Sequence, residues 1–224
     1  MGFLTEEDIR RYFIDDRNYT LWESMVNQFR IGVNDDYKFY QLDYQDENSD
    51  VYILTDKMYS KSLFTHELLH LQLRSKGLNT ADYFQMFSQD VFKAFALTIC
   101  NCIEHVLFFD DFVEMGYPRE TFVMDYDNQE YNIDQAIKMY SDIKTLNDQA
   151  ILKLVIFYLY WTFKNEEYMG IDRASSLDWL KKVESKLLIS CNRMYDEIIS
   201  FDLESTNVQN RFNVLVSKYL RRRY

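Results

Sequence analysis

The chain has 224 residues, 47% of them hydrophobic and 17% aromatic, which is material for one sizeable core. Its formal net charge of -11 sets a field that repels nucleic acid and anionic membrane surfaces, so neither is expected as a partner. One proline and five glycines leave too little turn chemistry for an all-β chain, and the expected fold is mainly α with a small β-sheet.

The N-terminus, MGFLTEEDIRRYF, places acidic residues where a signal peptide carries its apolar core, and Glu6 stands where a myristoylation motif wants Ser or Thr. Nothing there directs export, and a cytoplasmic location is the expectation. Residues 5–31 have apolar positions at helical spacing through Leu21, Met25, Val26 and Phe29, and read as one or two helices ending at Gly32. The period then changes: Tyr37 to Tyr44 and Val51 to Thr55 are short runs of aromatic and β-branched residues around a polar turn, read as a hairpin or two strands of a small sheet. A helix follows over about 57–76, then a helical block from Thr80 to Met115 that is expected to be broken once or twice. Gly77, Gly116 and Gly170 fall where helical patterns stop, as capping glycines do.

Pro118 and the polar stretch DYDNQEY make a loop, and Ile133 to Ser141, Asn147 to Lys164, Ser175 to Phe201 and Thr206 to Leu220 read as further helices. The longest apolar run, Ile151 to Phe163, is interrupted by Lys153 and is shorter than the roughly 20 residues of a membrane span. It is expected as a buried central helix. Cys100, Cys102 and Cys191 are too few for a disulfide framework and lack paired zinc-site spacing, so they read as buried thiols. One domain is expected over 1–224, with a metal-site half to about 118 and a helical half from about 119.

The motif with chemistry in it is HELLH, residues 66–70. Residues four apart share one face of a helix, so His66 and His70 can direct ring nitrogens to one metal ion. Glu67 lies about 100° around the helix from His66, where it can flank a metal-bound water and act as its general base. The helix around them is strongly apolar, with Leu63, Phe64, Leu68, Leu69, Leu71 and Leu73, as a buried metal-binding helix requires. The third and last histidine, His105, stands beside Glu104 in another apolar helix.

A β-like run followed by HELLH resembles the zincin metallopeptidases, over about residues 49–116. The resemblance implies zinc held by His66 and His70, Glu67 as catalytic base, and peptide or protein substrates. It also implies that the Val51 to Thr55 strand is a sheet edge along which an extended substrate pairs. The longer metzincin pattern is not followed, because positions 73 and 76 are Leu73 and Lys76. The gap to NCIEH looks more like the gluzincin arrangement, whose third ligand is a helical glutamate. Glu104 is favoured on that pattern, and His105 is its alternative as ligand or as support. The segment also resembles, distantly, the compact bacterial metallopeptidase domain of the ImmA/IrrE group. Tyr126 and Tyr131 lie in a loop that can cover such a site, or else simply belong to an aromatic-rich surface and core.

Two other readings compete. Glu67 and His70 form half of a di-iron carboxylate signature, but the residue three before His105 is Cys102, so the second half is missing. The other is a non-enzymatic helical binding or regulatory protein in which HELLH is vestigial or structural.

Overall fold

The computed structural model describes residues 3–38, 40–44, 50–80, 90–123 and 133–220. The fold is mainly α with a small mixed sheet, as expected. Its contacts divide the chain into two compact units, Met1–Lys76 with Phe108–Asp127, and Gly77–Leu107 with Asn128–Tyr224.

The first unit opens with helix α1 (Glu6–Phe13), where Thr5 and Asp8 form a reciprocal capping box. Helix α2 (Tyr19–Val26) follows and buries Leu21, Trp22 and Met25. Strands β1 (Arg30–Asn34), β2 (Gln41–Tyr44) and β3 (Asp50–Leu54) form a sheet in the order β1-β3-β2. β1 runs parallel to β3, pairing Arg30 with Asp50 through Asn34 with Leu54, and β2 runs antiparallel to it, Tyr44 opposite Val51.

Two expectations change here. Gly32 does not end a helix: it lies inside β1, a strand the helical spacing before it concealed. A Cβ at that position would come within 2.6 Å of the Tyr52 ring on the neighbouring strand, so glycine serves close approach there rather than a cap. The Val51 to Thr55 strand is not a sheet edge either. β3 is central, with both sides of its backbone engaged by β1 and β2, and it cannot take an extended substrate as a further strand.

Helix α3 (Lys61–Ser75) carries HELLH and is capped by Ser60, whose side chain accepts from the Leu63 amide. It packs against α1, α2, β2 and the short helix α5 (Arg119–Val123). Every residue from Phe64 to Leu71 is buried, the pattern of a helix enclosed on all sides.

Helix α4 (Asp90–Glu114) is one continuous helix that begins in the second unit and ends in the first. The second unit is built around α7 (Gln149–Tyr168), which buries Leu154 to Phe157 and Leu159 to Phe163, the central helix the apolar run predicts. α6 (Ile133–Thr145), α8 (Ala174–Val183) and α9 (Ser185–Ile199) pack on α7, and α10 (Val208–Leu220) packs on α9. The sequence reads 175–201 as one helix, whereas the chain breaks at Glu184, with φ -143° and ψ 55°. The Glu184 carboxylate accepts the Tyr140 hydroxyl from α6 at 2.9 Å, a tertiary bond that no local pattern announces.

Gly77, Gly116 and Gly170 have positive φ angles of 84°, 88° and 99°, as helix-closing residues do. All three cysteines are buried free thiols. No described helix is long and apolar enough to cross a membrane.

Candidate metal centre

Because α3 is enclosed, its polar residues are buried with its leucines: His66 is 1% exposed, Glu67 4% and His70 9%. The i, i+4 spacing brings the two histidines together, with Nε2 of His66 3.1 Å from Nε2 of His70. A tetrahedral zinc with bonds of about 2.0–2.1 Å holds two ligand nitrogens about 3.3–3.4 Å apart, so the pair already stands within a few tenths of an ångström of that spacing. Burial, reinforced by the neighbouring His70, pushes the His66 imidazolium well below its ordinary range. Burial thus favours the neutral ring, which is the form that binds a metal.

Aromatic rings wall the pair. Phe108 lies edge-to-face with both histidines, at 5.5 Å from the His66 centroid and 4.8 Å from that of His70, and Phe122 of α5 lies 4.5 Å from His66. Phe122 in turn contacts Phe109 and Phe112. A wall of this kind lowers the local dielectric and strengthens any charge interaction inside it.

The residue before His66 is pinned by a polar cluster. The Thr65 hydroxyl donates to the Lys61 carbonyl at 2.7 Å, accepts from the Asn18 amide at 2.8 Å, and lies 3.0 Å from the Tyr117 hydroxyl. Asn18 is fully buried and also donates to the Phe13 carbonyl. These bonds fix the rotation of α3 about its axis, and with it the direction of the histidines.

His105 is on α4, one turn before Phe108, and is 1% exposed. Its Nδ1 lies 3.4 Å from the side-chain amide nitrogen of Asn165 on α7. His66, His70 and His105 each offer one ring nitrogen, and these atoms all lie within 4.8 Å of one another. The three together can hold a metal ion.

Glu104, which the family pattern favours, is placed differently. Its carboxylate accepts the hydroxyl of Thr80, itself 1% exposed, and it is not one of the three grouped ligands. Adjacent helix positions differ by about 100° in direction, and that difference separates Glu104 from His105. Tyr126 and Tyr131 lie outside the described residues.

Phe108, Phe122, Asn18 and Asn165 carry no site signal in the sequence. The phenylalanines belong to a general apolar periodicity, and each asparagine is one polar residue near or within an apolar run. Compared with protein-family models, curated proteins and solved structures, the chain matches none.

Proposed function

We propose that this chain binds one zinc ion through His66, His70 and His105 and hydrolyses peptide bonds, with Glu67 as the general base. The observation that supports it best is the grouping of three buried histidine nitrogens within 4.8 Å, two of them from the HELLH helix that also carries a buried carboxylate. The donor set is one that zinc accepts: catalytic zinc sites use three protein ligands and leave a position for water. The ion, when bound, would acidify that water and polarise the substrate carbonyl.

The remaining work falls to the chain. Glu67 takes a proton from the attacking water as its oxygen bonds to the carbonyl carbon, and returns that proton to the amine as the C–N bond breaks. Phe108 and Phe122 keep bulk water from the histidines, and the Asn18–Thr65 bond holds α3 in register. Glu104 has no ligand role in this reading. The choice of a peptide as substrate comes from the resemblance to zincins.

One observation favours the non-enzymatic alternative: at 3.1 Å, the two Nε2 atoms can satisfy each other by a direct hydrogen bond. Glu67→Gln separates the readings. It should retain about one zinc per chain, keep the parent's melting behaviour and cleave fluorescently labelled denatured casein at least about 100-fold more slowly. Equal cleavage by the variant, or a zinc-loaded parent that cleaves nothing in a mixed peptide library, would refute the hydrolase reading.

A further inference from the structure

Among the polar residues of α7, Asn165 stands out by its place. It is fully buried on the central helix of the second unit, and its amide reaches the imidazole of a residue 60 positions earlier, at Nδ1 of His105. Burying an amide costs free energy unless its hydrogen bonds are made. An apolar residue at this position of an apolar helix would avoid that cost, so the Asn165–His105 contact calls for a reason.

Resting on the zinc reading above, we infer that Asn165 is a positioning residue that selects which ring nitrogen of His105 faces the ion. A ligating histidine donates its other N–H to a fixed acceptor, and that bond sets both tautomer and ring direction. With Nδ1 of His105 engaged by Asn165, Nε2 is the nitrogen turned to the metal. This matches the Nε2 atoms by which His66 and His70 face each other.

The amide suits both states of the site. In the metal-free molecule the amide nitrogen, which can only donate, lies 3.4 Å from Nδ1, an arrangement that suits a ring proton on Nε2. For Nε2 to bind a cation, that proton must be on Nδ1, and the acceptor it then needs is the amide oxygen. The two ends of an amide are nearly equal in shape, so a half-turn about the last side-chain bond supplies it. The ring keeps one proton throughout.

The test is zinc affinity, measured by chelator competition on folded protein, together with 15N NMR of the histidine rings in the zinc-loaded parent. His105 should show a metal-bound Nε2 and a protonated Nδ1. Asn165→Leu should weaken zinc binding about 10–100-fold, while Asn165→Asp, which still accepts the Nδ1 proton, should bind zinc at least as tightly as the parent. Ligation of His105 through Nδ1 would overturn the inference even if Asn165→Leu failed to fold. So would parent-like affinity in Asn165→Leu, or a tenfold loss in Asn165→Asp. A parent that binds no zinc under any of these conditions would overturn the zinc reading and this inference with it, whereas a zinc-binding parent with unaffected variants would overturn this inference alone.

Discussion

Replacing Phe108 by alanine removes the ring that touches both HELLH histidines. Phe108 is 1% exposed and packs at 4.8 Å on His70, 5.5 Å on His66 and 5.7 Å on Phe122. Truncating such a phenylalanine loses its transfer free energy and leaves a cavity, together about 3–5 kcal/mol. The value should fall toward the upper end, because the edge-to-face contacts add to simple burial. For a chain of this size, at about 2–4 °C per kcal/mol, the melting temperature should drop by about 6–20 °C. The assay is urea unfolding of the metal-free protein with linear extrapolation to water. Phe108→Leu, which refills most of the space, should recover the larger part of the loss. Since neither variant removes a ligand nitrogen, both should still take up zinc. A Phe108→Ala cost under about 1 kcal/mol would refute the tight packing of Phe108 in the aromatic wall around the histidines.

Gly32→Ala should cost about 1–3 kcal/mol, because the new methyl meets the Tyr52 ring at 2.6 Å; urea unfolding of Gly32→Ala with and without Tyr52→Ala checks whether removing the ring relieves the penalty. The Asp15 carboxyl is held below its ordinary range chiefly by its hydrogen bond to the Arg17 guanidinium, with Lys61 adding charge. Its contribution is therefore present above about pH 3.8 and lost as pH falls through the lowered folded value. Asp15→Asn should accordingly be less stable than the parent at pH 7 by up to about 1 kcal/mol, a gap that closes in acid, as unfolding curves across pH would show. Burial pushes the Cys100 and Cys191 thiols well up from the ordinary thiol range, so a chromogenic disulfide reagent should leave both unmodified in the native protein and titrate all three cysteines after denaturation.

Much of this architecture is legible in the residues. HELLH speaks through its spacing, since i, i+4 fixes two side chains on one helix face, and the run from Ile151 to Phe163 declares a buried helix by being apolar all round. The capping glycines 77, 116 and 170 are local signals and hold. What escapes the sequence depends on partners distant along the chain. β1 follows α2 so closely that Gly32 reads as a stop, and its identity as a strand rests on pairing with β3 twenty residues later. The break at Glu184 coincides with a hydrogen bond from Tyr140, 44 residues earlier. The choice between Glu104 and His105 turns on the rotation of α4, which is set by tertiary packing, and Asn165 gains its meaning only from the imidazole beside it.

The most direct test of the zinc reading is the metal content of the purified protein, measured by elemental analysis on the parent and on His66→Ala, Glu104→Ala and His105→Ala in parallel. The parent and Glu104→Ala should carry about one zinc per chain, and His66→Ala and His105→Ala should lose it. A parent without metal even after zinc is supplied, or zinc lost in Glu104→Ala and kept in His105→Ala, would contradict the zinc reading.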